Sequence, residues 1–301
     1  MLRLPRARLG LFSISADMPN SSMLTKQGNR SVLSNRTITL FWRTRMSQTP
    51  NATPKPAAAR ASPIVELRQY TLKPGRRETL IEIFDTEFVE SQEDAGMTII
   101  GQFRDLDRPD MFVWMRGFES MEARKDALVA FYDGPVWAAH RDAANATMID
   151  SDDVLLLRPA WPDAGFGLSR LRRPTAATAK STSDRNRLPG VVEISIHHLR
   201  TGAEAGFAEH FRVEMVPRLA QNGARLLGAL LSEPAANTFP RLPVRAGENV
   251  FIDVIGLHDA DASHRFAASP AWRALGQSMQ AVCTKPGETL RLVPTARSLL
   301  R

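Results

Sequence analysis

Two stretches of the chain run in register 127 residues apart. They are Val65-Glu66-Leu67-Arg68-Gln69-Tyr70-Thr71-Leu72-Lys73-Pro74-Gly75 and Val192-Glu193-Ile194-Ser195-Ile196-His197-His198-Leu199-Arg200-Thr201-Gly202. The same spacing continues outward through Leu80 with Phe207, Phe84 with Phe211, Phe88 with Met215, Gly96 with Gly223 and Gly101 with Gly228. Gly117 then matches Gly256, so the second copy has gained twelve residues, placed around Pro234–Asn249. Phe131, Pro135 and Trp137 match Phe266, Pro270 and Trp272, and Leu155, Leu157 and Pro159 match Leu290, Leu292 and Pro294. Self-similarity of this kind means one supersecondary unit used twice.

Each copy reads as strand, helix, strand, strand, helix, strand. Ile64–Leu72 is β-rich and alternating. From Arg76 to about Ala95 the residues Leu80, Ile81, Phe84 and Phe88 share a helical face, and Gly96 stands where a C-terminal cap belongs. Met97–Phe103 and Met111–Phe118 read as strands, Glu119–Ala130 and Val136–Asn145 as a helical region broken at Asp133-Gly134-Pro135, and Asp153–Arg158 as the last strand. The order predicts an α+β fold of two tandem ferredoxin-like (β-α-β-β-α-β) modules. Packed sheet to sheet, their bare faces would enclose a cavity. The expected divisions are a basic leader (1–60), module 1 (61–160), a flexible linker (161–189) and module 2 (190–297).

The run from Val65 to Gly75, with Pro135-x-Trp137 and the closing Leu155–Pro159 element, resembles the NIPSNAP family over about residues 64–159 and more weakly over 191–295. The second copy departs from it, with Ser195 for Arg68, His197 for Tyr70 and Thr201 for Pro74. The resemblance implies a dimeric α/β-barrel, closed within the chain or by a homodimer, and no settled activity. The wider barrel superfamily includes cofactor-independent monooxygenases, but fold does not carry function across.

Net charge is +7, yet residues 1–60 hold ten Lys and Arg against Asp17 alone, and the remainder holds 29 basic and 31 acidic residues. The two copies thus offer no basic face for nucleic acid. The leader reads either as an organelle transit peptide or as an over-extended start with Met18 or Met46 as the first residue, so the compartment is cytoplasmic in a bacterium and mitochondrial in a eukaryote. No apolar run is long enough for a membrane span. The single cysteine, Cys283, excludes a disulfide framework, and the six histidines form no metal-ligand pattern; neither a metal nor a cofactor is expected.

Alternation puts Glu66, Arg68 and Tyr70 on one strand face and Val65, Leu67 and Gln69 on the other. With the apolar face assigned to the helices, Glu66, Arg68, Tyr70, Glu193, Ser195 and His197 are expected to point into the cavity between the sheets. There Arg68 would hold an anionic group, with Tyr70, Trp114 and Glu193 as further substrate contacts, and Glu66 or His197 would move a proton. The competing reading is a buried Glu–Arg pair that fixes packing. Asp253, within Phe251-Ile252-Asp253-Val254-Ile255, is the leading acid–base candidate together with His197. Trp137 and Trp272 read as packing residues. The insertion reads as a lid, a protein-contact loop or a tolerated surface loop. Two functions follow: a protein that binds or converts a small molecule, or a non-enzymatic interaction protein or scaffold.

Overall fold

A computed structural model of the chain describes residues 62–175 and 190–301; the leader and the second half of the expected linker, residues 176–189, lie outside the described residues. Eight strands form one closed antiparallel barrel: β1 (Ile64–Leu72), β2 (Thr98–Asp105), β3 (Met111–Phe118), β4 (Met148–Pro159), β5 (Val191–His198), β6 (Arg225–Ser232), β7 (Val250–Leu257) and β8 (Glu288–Pro294). The order around it is β1-β3-β2-β8-β5-β7-β6-β4. Each half contributes four neighbouring strands in the same relative order. The halves meet where β2 pairs with β8 and β4 with β6, so every strand edge is paired and the barrel closes within one chain.

The helices repeat as the strands do. In the first half α1 (Arg77–Ile83) runs through a π-helical turn (Phe84–Phe88) into α2 (Val89–Asp94). After β3 come α3 (Met121–Tyr132) and α4 (Pro135–Asn145). In the second half α5 (Glu204–His210), a π turn (Phe211–Met215) and α6 (Val216–Gln221) match the first set, and α7 (Ala260–Ala268) and α8 (Pro270–Gln280) match the second. The wider π turn carries an extra residue per turn, which lets Phe84, Asp85 and Phe88 all be buried. Gly96 and Gly223 follow α2 and α6 with φ of 98° and 78°, a conformation open to glycine. Ser120 and Asp259 cap α3 and α7, accepting from the amides of Ala123 and Ala262. None of the helices among the described residues is long and apolar enough to cross a membrane.

The barrel interior overturns one expectation. It is packed with Val65, Leu67, Val113, Met115, Leu155 and Leu157 of the first half and Val192, Ile194, Ile252, Val254, Leu290 and Leu292 of the second. Eight strands leave an interior that side chains just fill, so the sheets enclose a dry core rather than a ligand cavity. Glu66, Arg68 and Tyr70, and equally Glu193, Ser195 and His197, lie on the outer face under the helices. The physical reason is partner supply. The helix layer offers Arg124 and Gln92 to the charged strand residues, while the interior offers only hydrocarbon.

The two ends of the repeat units also enter the core. Residues 161–175, expected to begin a flexible linker, place Phe166 and Leu168 in the interior cluster. A Cβ on Gly228 would stand 2.8 Å from the Phe166 ring, so the glycine makes room for it. The C-terminal Leu299 and Leu300 occupy the same cluster. The amides of Thr295 and Leu300 donate to the Gln102 and Ile100 carbonyls.

Candidate functional site

The first half collects three arginines on one carboxylate. Glu66 sits opposite Arg116 in the β1–β3 ladder. Its Oε2 accepts from Arg68 Nη1 and from Arg116 Nε, each at 2.8 Å, and its Oε1 accepts from Arg124 Nε of α3 at 2.6 Å. All four side chains are sealed from solvent. Burial alone would push the Glu66 carboxyl up, but Arg116, Arg68 and Arg124 together hold it well below the usual carboxylate range. The remaining partners are neutral. Arg68 Nε donates to the Tyr70 hydroxyl at 3.0 Å, and Arg116 Nη1 donates to Gln92 Oε1 at 3.1 Å. Arg124 Nη1 donates to Asn237 Oδ1 and Thr238 Oγ1. Burial raises the Tyr70 phenol, so it stays protonated.

Beside this cluster lies a cavity of ≈ 100 Å³ between the sheet and the helices. Arg68, Tyr70 and Trp114 form its floor, and Phe84, Phe88, Phe131, Tyr132 and Trp137 are among its walls. The Arg68 guanidinium lies 5.4 Å from the Tyr70 ring centroid and 5.5 Å from that of Trp114. Trp114 is buried and its Nε1 donor has no acceptor among the described residues. Trp137, expected to be a packing residue, meets Phe88, Phe131 and Tyr132 and lines the cavity too.

The insertion of the second half completes this site. Leu242 lines the cavity, and Phe239 stacks on Tyr132 with centroids 6.0 Å apart. Arg241 reaches Asp133, and Thr238 Oγ1 donates to the Met121 carbonyl. The stretch is therefore a wall laid by one half over the other. A second, larger cleft of ≈ 840 Å³ runs beneath the base of the insertion, between β4 and β6. Arg245, Glu248 and Glu204 along it are bonded to Asp153, His198 and Asn249. The smaller cavity, with its unmatched donor, is the better candidate.

At the matching place in the second half the chemistry differs. Ser195, Ile255 and Ser263 stand where Arg68, Arg116 and Arg124 stand in the first. Glu193 keeps the position of Glu66, but among the described residues its carboxylate accepts only from the Ser263 hydroxyl, and burial pushes its carboxyl up. His197 and Asp253 replace Tyr70 and Trp114, and His197 Nε2 lies 2.9 Å from Asp253 Oδ1. Asp253 is buried with Oδ2 unpartnered, while His197 is about a quarter exposed against Phe207 and Phe251. Glu66, Arg68, Tyr70 and Trp114 thus form one group, and His197 and Asp253 form another with Glu193 on the same sheet face. Among the described residues no three of His, Cys, Asp and Glu converge in a metal-binding group.

Sequence reasoning missed Arg124, Gln92 and Tyr132, and it singled out the insertion without naming the residues that reach the site. A signal for Arg124 was present: it interrupts the buried helical face of Met121, Leu128 and Phe131. The contacts of Asn237, Thr238 and Leu242 had no local signal.

Comparison with known proteins places this geometry. Residues 65–161 match the NIPSNAP family model, and the chain carries a NIPSNAP domain there. No curated protein matches the chain. A solved structure from Fusobacterium nucleatum, assigned by name as a monooxygenase, is 8% identical, covers 78% of this chain and 94% of its own, and has a TM-score of 0.51. That likeness shows the barrel fold alone. A NIPSNAP family protein from Agrobacterium tumefaciens is 22% identical over 32% of this chain and 91% of its own, with a TM-score of 0.30. A NIPSNAP domain protein from Burkholderia xenovorans is 15% identical, covering 32% and 93%, with a TM-score of 0.30.

Proposed function

We propose that the chain binds a small molecule in the cavity beneath the helices of its first half, with Arg68, Tyr70 and Trp114 as ligand contacts and Glu66 as the group that orients the arginines. The observation that supports this reading is the buried Trp114 Nε1 donor, unpartnered in a wall that also carries Arg68. A buried donor without an acceptor costs about 1–3 kcal/mol, and a ligand oxygen would recover it. Few polar groups set among apolar walls are what a small-molecule site needs.

Conversion of a ligand calls for a proton-transfer group, and for that role we assign His197 backed by Asp253. A buried carboxylate fixes the imidazole orientation, which is how such pairs serve as general bases. Glu193, on the same face, would contact the substrate of that second site.

Native mass spectrometry of the full chain tests the binding reading. A co-purifying adduct that leaves on denaturation and is missing from Arg68→Met is the expected result. An adduct retained unchanged in that variant would place the ligand elsewhere.

A further inference from the structure

The charge balance of the arginine cluster narrows the ligand class. Arg68, Arg116 and Arg124 are each at most 1% exposed, and among the described residues Glu66 is the one carboxylate they contact. Their other partners, Tyr70, Gln92, Asn237 and Thr238, carry no charge. The cluster therefore holds two positive charges beyond its counter-ion. Asp152, whose carboxyl feels the Arg68 charge, lies at the surface. Uncompensated buried charge is costly, and a ligand carrying the opposite charge relieves it.

The second half serves as an internal control on whether the barrel itself needs these cations. It builds the same strand and helix positions with Ser195, Ile255 and Ser263, and it satisfies Glu193 with one hydroxyl. The architecture therefore closes without any of the three. Their presence in the first half coincides with the aromatic cavity that Arg68 lines, next to the orphan Trp114 donor.

From these observations we propose that the first-half cavity takes a compact monoanion with an apolar, ring-sized body, its carboxylate directed at Arg68 and Trp114 Nε1. The proposal rests on the binding reading above. The size follows from the cavity: at ≈ 100 Å³, below the roughly 150 Å³ of an apolar cavity that holds benzene, it has room for at most one small ring and none for a nucleotide or an acyl chain. The ring faces of Phe84, Phe88 and Trp137 suit a flat apolar body, and the guanidinium suits a planar carboxylate.

Benzoate is the probe, with benzamide as a neutral isostere and acetate as the same charge without the body, each titrated calorimetrically against the full chain. The expected result is benzoate binding at least about tenfold tighter than either comparison compound, since charge-assisted hydrogen bonds are roughly twice as strong as neutral ones. Equal binding of benzamide would overturn the anion assignment and leave the cavity reading standing. Equal binding of acetate would overturn the apolar-body requirement. Binding of none of the three would overturn this proposal, while a different adduct in the native spectrum would still support the cavity. Arg68→Met should abolish the preference for benzoate. Trp114→Phe keeps the ring and removes only the N–H donor, so several-fold weaker benzoate binding is expected from a variant that folds. Unchanged affinity in Trp114→Phe would refute the donor's role.

Discussion

Glu66 and Glu193 occupy the same position of equivalent strands, and their carboxyls are pushed in opposite directions. Three guanidiniums hold Glu66 down, whereas burial beside a single hydroxyl raises Glu193. A depressed carboxyl contributes stability that is present above its unfolded value, near 4.3, and is lost as pH falls through the folded one. A raised carboxyl does the reverse: its contribution is complete below the unfolded value and is lost as pH rises through the folded one. Glu66→Gln should therefore destabilise at pH 7 by about 3–5 kcal/mol, because it strands three buried cations. Glu193→Gln should stabilise at pH 7, with the gain vanishing near pH 4. Urea unfolding of both variants at the two pH values checks the contrast, and a matched loss in both would contradict it.

Asp85 supplies a second pH dependence. It lies in the π turn, accepts from Gln102 Nε2 at 3.2 Å, and burial raises its carboxyl to about 6. The contribution of this group to stability is thus full below about pH 3.8 and falls away as pH rises through about 6. Asp85→Asn keeps the acceptor oxygen and removes the ionisation. It should raise stability at pH 7.5 by on the order of 2 kcal/mol and leave it unchanged near pH 4. Thermal unfolding across that range is the measurement.

The core position of Phe166 predicts that residues 161–175 resist removal. Phe166 is 4% exposed and fills the space over Gly228. Phe166→Ala should cost about 3–5 kcal/mol. Gly228→Ala, which drives a methyl into the same ring, should cost about 1–3 kcal/mol. A loss below half a kcal/mol for Phe166→Ala in denaturant titration would mean that the segment does not pack there.

Access to the first-half cavity should depend on the insertion. Leu242→Ala removes wall without touching the arginines. The expected outcome is faster release of benzoate in stopped-flow displacement, with the unfolding midpoint little changed. Phe239→Ala also removes the stack on Tyr132 and should expose the insertion to limited proteolysis.

The sequence by itself determined the repeat, the strands and helices, the NIPSNAP resemblance, and the polar strand residues that matter. Those features are local: alternation, helical spacing, glycines at helix ends and a register carried across 127 residues all leave marks on neighbouring positions. Which face those strands bury was decided by the tertiary structure. Alternation separates Glu66, Arg68 and Tyr70 from Val65 and Leu67 but does not say which set a closed barrel takes inside. The filled interior admits hydrocarbon, and the charged set goes where α3 supplies Arg124 and α2 supplies Gln92. The placement of Leu242 and Thr238 over a site more than a hundred residues earlier was settled in the same way. Such contacts depend on how the two halves close edge to edge, and no local preference of the chain encodes that.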